Sequence, residues 1–239
     1  MIEIKNLTIK FNQKTVLESI NLQIPDNQIS IIIGQSGCGK SVLMKTIEAL
    51  IKPYRGTVIF DGVDVFNQNS TGLKEIRQKI AMLFQGSALL DSLNVYQNIA
   101  LPLHEHTKLS QQEITKEVEK TLQMVGLGRI FSKMPSELSG GMKKRVALAR
   151  AIIRKPKYVI YDEPTTGLDP VIAHNITELI ITLYHKYNLT PIIITHDIDC
   201  IKKVKGKIAM IHDKKIIFAG KYEKFLQVKD ERVANFRKI

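Results

Sequence analysis

The sequence predicts an α/β fold with a mainly parallel core sheet, an N-terminal antiparallel β-subdomain and an inserted α-helical subdomain. Three observations carry that prediction. Short apolar runs, Ile29-Ser30-Ile31-Ile32-Ile33, Tyr158-Val159-Ile160-Tyr161 and Ile192-Ile193-Ile194-Thr195, recur with helical stretches between them. That is the pattern of parallel strands covered on both faces. The first sixty or so residues instead alternate, with Ile2 and Ile4, then Leu7, Ile9 and Phe11, and later Ile20, Leu22 and Ile24, as strands with one buried face do. Between residues 86 and 137 the period becomes helical.

Taken in order, Ile29 to Ile33 is a buried strand that runs into Gly34-Gln35-Ser36-Gly37-Cys38-Gly39-Lys40-Ser41, a complete phosphate-binding loop of the form G-x-x-x-x-G-K-S. A helix follows, with Leu43, Ile47, Leu50 and Ile51 on one face until Pro53 stops it. Thr57-Val58-Ile59-Phe60 is a strand ending at the turn Asp61-Gly62. Ser110-Gln111-Gln112-Glu113 is a capping box that opens a helix with Ile114, Val118, Leu122 and Val125 at helical spacing. Lys207 to Gly220 reads as a hairpin around His212-Asp213. These elements group into one domain over 1–239. Its core is 1–85 and 138–220, the helical insert is 86–137, and a C-terminal helix and tail occupy 221–239. The last ten residues, Asp230 to Ile239, read as a frayed end or a docking segment, with fraying the default.

The phosphate loop states its chemistry. Its glycines let backbone N–H groups curl around an anion, and the next helix points its positive end at the phosphates. Lys40 is expected to reach the β- and γ-phosphates and the Ser41 hydroxyl to ligate Mg²⁺, with Val42 the last residue of this stretch expected to bind the nucleotide. Tyr158 to Pro164 is an apolar strand ending in two carboxylates. Adjacent strand residues point to opposite sides, so Asp162 and Glu163 are expected to divide the work. Asp162 is assigned to the Mg²⁺ shell and Glu163 to the attacking water. Leu138-Ser139-Gly140-Gly141-Met142 precedes a helix with Met142, Val146, Ala149 and Ile152 on one face. Ser139 can cap it and the glycines expose its amides, which makes a second anion site in one chain. Two such sites serve either different nucleotides or one nucleotide met by two subunits.

With these motifs in this order, the chain resembles the nucleotide-binding subunits of ABC transporters over essentially its full length. The resemblance implies a P-loop ATPase that uses ATP and Mg²⁺. It makes Phe11 the aromatic that stacks on adenine, and Gln85, in Leu83-Phe84-Gln85-Gly86, the glutamine-loop residue that contacts Mg²⁺ or water. Leu138 to Met142 becomes the signature motif, Asp169 an interface aspartate, and His196 the switch histidine reaching the γ-phosphate. It implies a head-to-tail homodimer, each ATP held between one subunit's phosphate loop and the other's signature. The family also implies integral-membrane permease subunits as partners, and a cytoplasmic place against the cell membrane through them. Met142 stands where the signature commonly ends in glutamine, while the anion-facing groups of Ser139, Gly140 and Gly141 are kept.

Phe84 to Thr107, with its Pro102-Leu103-His104-Glu105-His106-Thr107 ending, and the Met-terminated signature are similar to the ATPases of Mla-type phospholipid transporters, which work with MCE-domain proteins. The competing readings are an ATPase of an amino-acid or other small-solute importer, and a soluble ABC protein of DNA repair or translation. No zinc-like cysteine spacing and no long heptad favours the latter. A binding module without hydrolysis is opposed by Glu163 and His196. His104 and His106, two apart in a Pro-bearing connection with no ligand cluster, read as surface histidines rather than a metal site.

Composition agrees. The 44% apolar and 24% charged residues describe a globular chain, no apolar run approaches a membrane helix, and the N-terminus lacks a secretory pattern. Cys38 and Cys200 form no disulfide framework, which suggests a reducing compartment. The net charge of +12 fits nucleic acid, anionic lipid or a lysine-rich surface. Its densest runs, Lys143-Lys144-Arg145 and Lys202 to Lys207, lack interleaved aromatics, so a solvated surface is preferred and no nucleic-acid partner is expected.

Overall fold

The computed structural model describes residues 1–238; the expected tail residue Ile239 lies outside them. In chain order the elements are β1 (Ile2–Phe11), β2 (Lys14–Ile24), β3 (Ser30–Gly34), α1 (Lys40–Ile47), β4 (Arg55–Phe60), β5 (Val63–Asp64), α2 (Ser70–Gln78), β6 (Ile80–Leu83), α3 (Val95–His106) and α4 (Gln111–Met124). Then follow α5 (Gly140–Ile152), β7 (Tyr158–Asp162), α6 (Pro170–Tyr187), β8 (Thr190–Ile194), α7 (Ile198–Val204), β9 (Lys207–His212), β10 (Lys215–Lys221), α8 (Tyr222–Gln227) and α9 (Glu231–Phe236).

Two sheets form the frame. One has the order β10-β9-β3-β8-β7-β6, parallel from β9 to β6, with β10 antiparallel at its edge. The other, β2-β1-β4-β5, is antiparallel throughout. The period of two explains how one sheet serves two cores. Ile32, Tyr158, Ile160, Ile192 and Ile194 face α1 and the antiparallel sheet. Their neighbours Ile31, Ile33, Val159, Tyr161 and Ile193 face the layer built by α3 to α6. Both strand faces are buried, so the strands read as continuous apolar runs. In β1 the alternation changes phase between Ile4 and Leu7, where Asn6 takes φ 48° and the pairing register shifts. A bulge there keeps Leu7 and Ile9 on the inner face.

Two expectations change. The helix after the phosphate loop ends at Ile47 and does not reach Leu50, which is exposed. Ala49 turns left-handed at φ 57°, while the Leu50 and Ala49 amides donate to the Lys45 and Thr46 carbonyls. This is a Schellman-type stop, and it needs no proline. The tail does not fray within the described residues. Asp230 caps α9, Val233 and Phe236 are buried, and Arg237 donates to the carbonyls of Phe225, Leu226 and Val228. The supposed connection carrying His104 and His106 is the last turn of α3.

Candidate active site

Four of the five parallel strands of the core, all but β9, deliver chemistry at their carboxyl ends, where ligands bind in open α/β sheets. The phosphate loop leaves β3, Gln85 follows β6, Asp162 ends β7 with Glu163 next, and His196 follows β8. Register brings these ends level: Leu83 pairs with Tyr161, Asp162 with Ile194, and Ile194 with Ile32. The result is a cleft of about 510 Å³. From the residues expected of a nucleotide site it gathers Gly34 to Gly37, Gly39 to Val42, Gln85, Asp162, Glu163 and His196.

The loop's conformation is one only glycine holds easily. Gly39 sits at φ 104°, and a Cβ there would meet Leu17 Cδ2 at 2.8 Å. A Cβ on Gly34 would fall 2.4 Å from the Ile211 carbonyl oxygen. Gly39 is the N-cap of α1, so the helix's free amides face the cleft. Lys40, 8% exposed, donates to the Gly34 carbonyl at 2.7 Å and to the Gln35 carbonyl at 3.0 Å. The ammonium thus bridges the rim of the anion cradle.

Strand alternation predicted opposite sides for Asp162 and Glu163, and the structure corrects this: both line the one cleft. The strand stops at Asp162, and Glu163 turns left-handed at φ 49° while its amide still donates to the Ile194 carbonyl at 2.9 Å. Their surroundings differ. Glu163 Oε1 lies 2.9 Å from His196 Nδ1, and Oε2 accepts from the Thr166 hydroxyl at 3.2 Å. Thr165 donates to Asp197 Oδ2 at 2.8 Å, tying this turn to the histidine's segment. The Asp162 carboxyl is pushed up by burial and by the adjacent Glu163 charge, against the pull of Lys40, Lys144 and Lys45. The Asp162 carboxylate, the Ser41 hydroxyl and the Gln85 side-chain oxygen line this cleft together as hard-oxygen donors. That set fits Mg²⁺, whose charge would relieve the carboxylates' mutual repulsion.

Other expected residues lie elsewhere. Phe11 is at the end of β1, about half exposed, paired with Lys14 and outside the cleft lining. Cys38 points to a neighbouring hollow lined by Lys14, His212 and Lys214. Ser139 caps α5, its Oγ accepting from the Met142 amide at 3.3 Å. Gly140 and Gly141 pack near Leu168 and Ile172, and Asp169 caps α6 by accepting from the Val171 and Ile172 amides. This second anion-type site is thus set apart from the cleft. Two lining residues escaped the sequence reading, Val16 of β2 and Phe236 of α9. Nothing local marks Val16, but the i, i+3 pair Val233 and Phe236 in the tail was a usable sign of packing.

The chain matches the ABC transporter family over residues 17–166. It is 40% identical over its whole length to an intermembrane phospholipid transport ATP-binding protein, MlaF, of Haemophilus influenzae, covering 90% of that protein. It is 38% identical, over 95% of its length and 67% of the relative's, to a methionine import ATP-binding protein, MetN 1, of Paraburkholderia xenovorans. Its fold superposes with a TM-score of 0.83 and 31% identity on a dimeric post-hydrolysis ATP-binding cassette, MJ0796, bound to ADP and Pi, covering 93% of this chain and 99% of that one. With the cleft and its motifs in place, the chain belongs to the ABC transporter family as an ATP-binding and ATP-hydrolysing subunit.

Proposed function

We propose that ATP hydrolysis by this subunit drives a membrane permease that moves phospholipid between envelope membranes, together with an MCE-domain lipid-binding protein. The observation that carries this reading is the end-to-end 40% identity to a phospholipid transport ATPase. The Met142 signature and the Pro102 to Thr107 segment, now seen as the end of α3, point the same way. The similarity to a methionine importer supports a second reading, an amino-acid cargo served by the same ATPase. Among the described residues no helix is long and apolar enough to cross a membrane. On the family resemblance we assign attachment at the cytoplasmic face to the permease.

In the site, the amides of Gly37 to Ser41 and the Lys40 ammonium bind the β- and γ-phosphates, and Phe11 receives the adenine. Ser41, Gln85 and Asp162 would hold Mg²⁺, which would supply charge neutralisation at the phosphate oxygens. Glu163 orients the attacking water, and His196, its Nδ1 2.9 Å from Glu163 Oε1, turns its other ring nitrogen to the γ-phosphate, where it must carry a proton to donate. Ser139, Gly140 and Gly141 act on a partner's ATP across a C2 dimer, where Asp169 lies at the interface. A dimer of this kind completes two sites at once. The γ-phosphate charge is then neutralised from both sides only on closure.

Mild-detergent purification of the tagged chain from native membranes, with mass spectrometry of proteins and lipids, tests the cargo. A permease with an MCE-domain protein and phospholipid is the expected result. A permease with a solute-binding protein would move the cargo to small solutes, and nucleic acid without a membrane partner would overturn both.

A further inference from the structure

The segment after β6 is held by its carbonyls, and the donors come chiefly from α5. Lys144, 4% exposed, donates its ammonium to the Gln85 carbonyl. Farther along the same helix, Arg150 donates to the Ala88 carbonyl at 2.7 Å, the Ser87 carbonyl at 3.4 Å and Asn98 Oδ1 at 3.3 Å. Asn98, fully buried on α3, closes the far end. Its amide donates to the carbonyls of Leu90 at 3.1 Å and Leu93 at 2.8 Å, and its oxygen accepts from the Leu90 amide at 2.9 Å. Within this comb Ser87 and Ala88 are both left-handed, at φ 63° and 48°. Consecutive non-glycine residues in that region persist only where the surroundings impose it.

We propose that Lys144 and Arg150 are positioning residues that fasten the glutamine loop to the signature helix, so that Ser139 and Gln85 move as parts of one body. This rests on the reading that places Gln85 at the Mg²⁺ and water. The placement of Lys144 argues for a role beyond packing. Burying an ammonium is costly, and an apolar side chain of the same length would pack a helix as well or better. What the charge gains here is the Gln85 carbonyl and the nearby field of Asp162 and Glu163. Because α5 begins at the signature, a partner's nucleotide engaging Ser139 displaces a helix that already grips the loop at three carbonyls. Occupancy of the partner's site is thereby reported to Gln85 within one subunit.

The test combines hydrogen exchange over residues 84–94 and 140–152 with ATP turnover in Gln85→Ala, Lys144→Met, the double variant, Lys144→Arg and Arg150→Lys. Lys144→Met is expected to speed exchange at 85–88 by ~10-fold while leaving the rest of α5 protected. It should lower kcat by ~10-fold with the ATP KM within about 2-fold, and raise the Mg²⁺ concentration for half-maximal rate. Lys144→Arg should restore all three. The double variant should be no slower than the worse single, since both act through one group. Arg150→Lys, which keeps charge but loses the fork, should loosen 87–90 alone, and it serves if Lys144→Met does not fold. Unchanged exchange in Lys144→Met and Arg150→Lys, or multiplicative losses in the double, would overturn the proposal. If Gln85→Ala alone left kcat and the Mg²⁺ dependence unchanged, the reading of Gln85 would fail instead, with the exchange result still judging the fastening.

Discussion

The sequence holds two anion-type sites, and the structure treats them differently. The phosphate loop is finished within one chain. Its lysine already grips two carbonyls, and Gln85, Asp162, Glu163 and His196 arrive from three other strands to close one cleft. The signature is unfinished. Ser139 spends its hydroxyl on capping α5, Asp169 spends its carboxylate on α6, and neither lines the cleft. On the proposed reading, a single subunit binds nucleotide on its own but faces only one side of the γ-phosphate, and hydrolysis needs a pair.

Glu163→Gln should break the contrast most. The isosteric amide keeps the partners of His196 and Thr166 within reach but cannot polarise water. We expect kcat to fall by ~10³-fold with ATP affinity retained and an ATP-bound dimer accumulating, read by turnover and light scattering. Normal turnover would assign the water to another residue. Lys40→Ala follows. It removes a charged donor from the cradle, so ATP affinity should weaken by ~10²-fold in a titration of the isolated chain. Wild-type affinity would refute the assignment of the loop.

Ser139→Ala asks whether the second site belongs to the partner. Nucleotide binding to the isolated chain should stay within about 2-fold, while kcat and ATP-driven dimerisation drop by ~10-fold. Loss of a helix cap costs ~1 kcal/mol, so melting is measured alongside. A binding defect in the monomer, with no effect on dimerisation, would place Ser139 in its own chain's site and end the contrast.

What was legible follows the same division. Strand–loop–helix units announce themselves locally, so the phosphate loop, the capping box at Ser110 and the hairpin at His212 read directly from spacing. Backbone turns did not. Nothing in Tyr158 to Pro164 shows that Glu163 goes left-handed, and strand alternation put it on the wrong side. Ala49 stops α1 for the same hidden reason. Long-range donors were silent as well, because Lys144 in a basic run looks like surface until α5 packs it against the Gln85 carbonyl. Phe11 was placed by resemblance alone and stands outside the cleft lining, which Val16 of β2 joins.

The two ends of α1 give the smallest effect and the finest version of the comparison. The front of the helix meets the anion cradle with its positive end, whereas its C-cap residue is an acid, Glu48, at the end where negative charge is disfavoured. Burial pushes this carboxyl up to about 7, and Asp162 adds to it, while Arg77 and Lys45 pull the other way; Oε2 has no hydrogen-bond partner. An acid raised above its ordinary 4.5 holds an extra proton in the folded state between pH 4.5 and about 7. Stability from this group is therefore full below that window and is lost as pH rises through it. Glu48→Gln should remove the loss. Its new amide also needs partners, so we expect a net gain of ~1 kcal/mol at pH 8 and none at pH 4.5, read by denaturant unfolding. An equal difference at both pH values would mean that Glu48 ionises as freely folded as unfolded. The polarity of α1 would then matter at the cradle end alone.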